Sequence, residues 1–188
     1  MFIESELENI LIEGAQKGDR SCQKKLYNLF SGKMYAICLR YTKNTDDAQD
    51  MLQDGFMKVF LNLKNFRSEG SFEGWIRRIM VNTILEKFRK GKAIQFQEEL
   101  DSAVMATESF DVLDNISVEE IMSIVSQLAP GYRTVFNLYA VDGYTHKEIA
   151  DELGISEGTS KSQLARARKI IQENLLKIST RYEKFVHK

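Results

Sequence analysis

Proline occurs once in this 188-residue chain, at Pro130. Proline removes a backbone donor and clashes with the preceding helical turn, so a chain almost without it leaves long helices uninterrupted. The stretches on either side are rich in Leu, Met, Glu, Lys and Gln, which lose little rotamer freedom in a helix. Apolar residues recur at spacings of three and four, the period of a helix with one buried face. The fold class expected is therefore all-α. A content of 43% hydrophobic and 28% charged residues is that of a folded chain and excludes a disordered tail.

The apolar stripes predict helices over 4–17, 19–31 and 33–43, with a break at Ser31-Gly32. Thr45-Asp46 opens a longer helix to about residue 63, striped by Ala48, Met51, Leu52, Gly55, Phe56, Val59, Phe60 and Leu63. A polar loop follows at 65–70, and Ser71 caps a helix from Phe72 to about Lys90. Periodicity then fades. Helical patterns resume at about 117–128, 130–141, 145–152 and 156–178, which fit a small bundle. This gives two helical domains, 1–92 and 117–182, joined by a flexible linker over 93–116 and followed by a tail at 183–188.

Net charge is only −1, but it is unevenly spread. Residues 1–95 carry 16 Lys/Arg against 12 Asp/Glu, and residues 131–188 carry 10 against 7. Between them, 96–130 holds 8 acids and no base. Two basic blocks flanking an acidic connector suit a partner with a phosphate backbone. No apolar run approaches the roughly 18 residues a membrane-spanning helix needs. The N-terminus lacks the basic start and cleavage site of a signal peptide. Cys22 and Cys38 lack metal-like spacing and read as buried thiols of a cytoplasmic protein.

Residues 144–171 have the pattern of a helix-turn-helix. Thr145 and Glu148 form a capping box, Ile149, Ala150 and Leu153 point inward, and Gly154 supplies the left-handed turn. Ile155 plugs the junction and Ser156 caps the second helix. On that helix Leu164, Ala167, Ile170 and Ile171 are the expected buried face. Glu157, Thr159, Ser160, Lys161, Gln163 and Arg166, with Arg168, are expected on the face toward a DNA major groove. A solvated charged face has the same composition, but not the capping box and turn glycine with it.

The runs DDAQDMLQDGFMKVFLNLKNFR and SFEGWIRRIMVNTILEKFRK resemble region 2 of the extracytoplasmic-function (ECF) group of sigma-70 factors. LAPGYRTVFNLYAVDGYTHKEIADELGISEGTSKSQLARARKII resembles their region 4. The resemblance implies a promoter-specific initiation factor that binds core RNA polymerase and promoter DNA, without cofactor or metal and without enzymatic activity. It also implies an anti-sigma factor as inhibitor. Asp50, Gln53 and Asp54 are then the residues that dock on the polymerase. Phe66, Arg67, Ser68, Glu69 and Phe72 surround a flipped base of the −10 element, Trp75 also contacts that element, and Arg77, Arg78, Asn82, Lys87, Arg89 and Lys90 hold its backbone. Ser156, Glu157, Thr159, Ser160, Lys161, Gln163, Arg166 and Arg168 face the −35 element.

The second helix departs from the family pattern S-E-G-T-V-K-S-R. Ser160 stands for the valine and Gln163 for the last arginine, which exchanges a guanine-preferring side chain for an adenine-compatible one. Two other readings fit parts of the sequence. A stand-alone operator-binding regulator would share the helix-turn-helix. A metal-dependent nuclease would need Asp46, Asp47, Asp50 and Asp54 to converge, whereas their spacing spreads them along one helix.

Overall fold

In the computed structural model, which describes residues 2–91 and 117–186, every element is helical. The chain divides into two compact units, Met1–Lys87 and Phe88–Lys188. The expected linker at 93–116 lies outside the described residues.

The first unit is built from α1 (Phe2–Gln16), α2 (Arg20–Tyr41), α3 (Thr45–Asn62) and, as far as Lys87, α4 (Phe72–Gly91). A 3-10 turn, Leu63–Asn65, extends α3. The predicted break at Ser31-Gly32 does not occur, because α2 runs through it. A glycine inside a helix costs about 1 kcal/mol. Continuing the helix buries Met34, Ile37, Cys38 and Tyr41 on the same face as Leu26 and Phe30. At roughly 1.5–3 kcal/mol per large apolar side chain, that burial outweighs the glycine several times over. Helix α3 opens at Thr45, as its sequence suggests. Asn44 is its cap, the Asn44 Oδ1 accepting from the Asp47 N–H at 2.7 Å.

Helices α3 and α4 approach closely at Gly55. A Cβ there would lie 2.1 Å from the Met80 sulfur, and Met80 is fully buried. The Lys58–Glu86 ion pair also links the two helices. Cys38 is fully buried, which pushes its thiol up to about 11; Cys22 is half-buried.

The second unit holds α5 (Val118–Gln127), α6 (Pro130–Phe136), α7 (His146–Leu153) and α8 (Glu157–Val186). A π-turn, Asn137–Val141, continues α6. Ile124, Val125 and Leu128 pack against Ala167, Ile171 and Leu175 as a shared core. Buried Arg133 donates from Nη1 to the Ser126 carbonyl at 2.8 Å, placing a cation at the negative end of α5. Helix α8 reaches Val186, eight residues past its expected end.

Replacing Gly55 with Leu should drive a side chain into Met80 and cost about 1–3 kcal/mol. A thermal melt of the full chain should show the first unit unfolding several degrees lower; an unchanged melt would contradict the close approach.

Candidate nucleic-acid interface

In the second unit the helix-turn-helix forms from the contacts its sequence suggests. The Thr145 N–H donates to Glu148 Oε2 at 2.8 Å, and the Glu148 N–H donates to Thr145 Oγ1 at 3.2 Å. Gly154 takes the left-handed conformation, φ 67°, that a Cβ would strain. Its N–H and that of Ile155 both donate to the Ala150 carbonyl, closing α7. The Ser156 hydroxyl then accepts from the Thr159 N–H at 2.9 Å and starts α8.

Two of the residues expected to face DNA do not. Ser160 is fully buried and Gln163 is 4% exposed. Ser160 lies four residues before Leu164 and Gln163 four before Ala167, so the helix period places both on the inner face. Gln163 therefore cannot present its amide to a base edge, and the adenine-compatible exchange read from the sequence falls away with it. Glu157, Lys161 and Arg166 are exposed, with Glu157 and Lys161 3.8 Å apart. Ser156 and Thr159 share a hydroxyl–hydroxyl hydrogen bond of 2.9 Å at the cap. Arg168 is exposed, its guanidinium 5.8 Å from the Tyr139 ring centroid. Ser162, Ala165 and Lys169 complete the exposed stripe and were missed. Counting back three, four and seven residues along the helix ties Ala165, Arg166 and Lys169 to Ser162.

In the first unit the segment after α3 is anchored from beneath. Gln16 Nε2 donates to the carbonyls of Leu63 and Phe66 at 3.1 and 3.2 Å, tying α1 to it. Phe66 and Phe72 are 8% and 2% exposed, and their rings pack edge-on at 5.0 Å. Both are core, which corrects the expectation that they present open faces to a base. Trp75 stacks on Phe72 at 5.7 Å and stays half-buried, so its remaining surface is the aromatic one at this rim. Arg67 and Ser68 are exposed, with Ser68 in a left-handed conformation at φ 57°.

On α4, Arg78, Asn82 and Arg89 are exposed, and Arg77 and Lys87 are half-buried. Lys90 lies in the last turn of the helix. Lys87 approaches Asp54 at 4.0 Å. Asp50, Gln53 and Asp54 all lie exposed on α3. The same face carries Met57 and Leu61, 58% and 79% exposed, which fall outside the buried stripe and which the sequence reading passed over. Among the described residues no group of three or more His, Cys, Asp or Glu side chains gathers as a metal site. Nor is any helix among them long and apolar enough to cross a membrane.

Two family models match the chain in order. Sigma-70 region 2 covers residues 26–94, and Sigma-70, region 4 covers 118–171. The chain belongs to the sigma-70 family. Its relatives place it in the ECF group. It is 27% identical over 179 residues to the ECF RNA polymerase sigma factor SigW of Bacillus subtilis, covering 87% of this chain and 94% of that one. It is also 27% identical over 188 residues to the RNA polymerase sigma-H factor of Pseudomonas aeruginosa, covering 93% and 96%. Among solved structures it is similar to the sigma factor RpoE in complex with the anti-sigma factor NepR from Bartonella quintana. That likeness has a TM-score of 0.49 and 23% identity, and spans 81% of this chain and 95% of that one. This sigma factor therefore acts in promoter-specific transcription initiation with RNA polymerase.

Truncating Phe66 to Ala in this sigma factor should cost about 3 kcal/mol or more, as for a buried ring. Arg67→Ala should leave the melting temperature unchanged. Equal, small effects from both in a thermal melt would return Phe66 to the surface.

Proposed function

We propose that the two units divide promoter recognition between them, one on each of two exposed basic helix faces. The observation that carries this is the register of α8. With Ser160, Gln163, Leu164 and Ala167 turned inward, the outward stripe is Lys161, Ser162, Arg166 and Lys169. These supply cationic and hydroxyl donors from the N-terminal half of a helix, the part that a helix-turn-helix inserts in the major groove. Glu157, Ser156 and Thr159 border the stripe at its cap, and Arg168 sits to one side over Tyr139. The target is the −35 element.

Downstream, Arg77, Arg78, Asn82, Lys87, Arg89 and Lys90 track the backbone of the −10 element. Trp75, Arg67 and Ser68 receive an unstacked base, with Phe66 and Phe72 holding the loop from below. Stacking on an aromatic is worth about 1–3 kcal/mol per base, enough to favour separated strands without any chemistry by this chain. The polymerase supplies the chemistry, in the cytoplasm.

Asp50, Gln53 and Asp54 dock on core polymerase. Met57 and Leu61 belong to the same face, adding the apolar contact that a carboxylate and amide stripe alone would lack. An anti-sigma factor silences the chain by covering one of these faces. The alternative, a stand-alone operator binder, leaves the α3 face without a role.

Two double variants test the division. Gln53→Ala with Asp54→Ala should weaken binding to core polymerase by about tenfold in a titration, with the fold intact. Unchanged affinity would count against the α3 face. Lys161→Ala with Arg166→Ala should spare core binding and lower promoter affinity of the holoenzyme. The plot of log affinity against log salt should flatten by about 2 if both side chains meet phosphates. An unaltered slope and affinity would remove the α8 stripe from the DNA interface.

A further inference from the structure

At the joint of the helix-turn-helix, His146 begins α7 and Ser160 lies one turn into α8. His146 Nδ1 and Ser160 Oγ share a hydrogen bond of 2.9 Å. Ser160 is fully buried, so its hydroxyl has no water to turn to. The imidazole stacks on Tyr139 of the π-turn, with centroids 4.5 Å apart and planes 22° from parallel. One side chain thus bridges three elements: the π-turn behind, α7 itself, and the half of α8 that carries Lys161.

We propose that His146 is a positioning residue for upstream promoter recognition, its hydrogen bond to Ser160 and its stack on Tyr139 fixing the rotation of α8 that presents Lys161 and Arg166 to DNA. A polar pair sets this geometry more narrowly than an apolar contact, because a small rotation of α8 leaves a buried hydroxyl unpaired. The same pair makes the pose sensitive to protonation. Facing the ring are Lys161 and Arg168 from α8, with Glu157 as the opposing charge, and the neutral Tyr139 ring from the π-turn. The ring also stands in the first turn of α7, where a cation opposes the helix dipole. Burial first, then Lys161 and Arg168, hold its pKa below the ordinary imidazole value.

The sign follows from linkage. A folded pKa below the unfolded one means that the unfolded chain takes up the proton first as pH falls. The neutral ring is therefore favoured above about pH 6.5; taking up a proton toward acid costs stability and makes Nδ1 an obligate donor, so the bond persists only if the Ser160 hydroxyl turns to accept.

The test uses holoenzyme assembled from core polymerase and full-length chain, on a genomic promoter fragment that the wild type transcribes. His146→Phe keeps a ring for the stack and removes the hydrogen bond. His146→Asn keeps an amide near the Nδ1 position but cannot titrate. Promoter affinity of His146→Phe should fall roughly fivefold with core affinity unchanged, and His146→Asn should recover most of it. As pH falls from about 7.5 through and below the ordinary imidazole range, wild-type promoter affinity should decline more steeply than that of His146→Asn.

Wild-type affinity in His146→Phe, or matching pH profiles for wild type and His146→Asn, would overturn the inference. If His146→Phe does not fold, the pH comparison alone decides. The inference rests on the α8 stripe facing DNA, and the Lys161/Arg166 double variant separates the two. Loss of binding there with indifferent His146 variants defeats only the inference; indifference in both defeats the stripe as well.

Discussion

Helix α8 buries one side chain in nearly every turn along Ser160, Leu164, Ala167, Ile171 and Leu175, and that line fixes what the helix offers to solvent. Its apolar members pack against α5, where Ile124, Val125 and Leu128 close the core. Each large apolar side chain taken from water contributes roughly 1.5–3 kcal/mol, whereas an exposed ion pair such as Glu157–Lys161 contributes about 0.5 kcal/mol. The rotation of α8 is therefore set coarsely from inside, and the His146–Ser160 bond narrows it. The basic stripe lies where the apolar line leaves it, and the Gly154 turn and Ser156 cap only decide where the helix begins.

The first unit shows the same dependence with a different consequence. Gly55 lets α3 and α4 come close enough for Met80 to fill the space a larger residue would occupy. That contact leaves Asp50, Gln53, Asp54, Met57 and Leu61 facing outward on α3, and Arg78 and Asn82 outward on α4. Phe66, Phe72 and Gln16 then hold the intervening segment from the core side. The exposed loop residues stand on an anchored frame rather than on their own contacts.

Much of this was legible in the residues. The capping box, Gly154 and the stripe from Ala48 to Val59 are local signals, and local signals survive folding because neighbours along the helix create them. The misreadings came where two levels competed. Ser31-Gly32 looked like a break because a glycine costs helix stability, yet the apolar line through Leu26, Phe30, Met34 and Ile37 was already visible and carries more energy. Ser160 and Gln163 were assigned outward because they are polar. Their spacing from Leu164, Ala167 and Ile171 puts them inside despite their polarity. Phe66 and Phe72 are harder, since Phe72 packs on Phe30 of α2, far along the chain, and Phe66 packs in turn on Phe72. The contact between His146 and Ser160 was out of reach for the same reason: it joins two helices across a turn whose angle no local pattern gives.

Initiation by this chain is the claim most open to direct measurement. Core RNA polymerase would transcribe a pool of genomic fragments with and without the protein, and transcript 5′ ends would be mapped. The account predicts new start sites that appear only with the protein and share two conserved upstream elements, one for each unit. Transcripts identical to those of core polymerase alone, alongside tight site-specific binding of the isolated chain to duplex DNA, would contradict it.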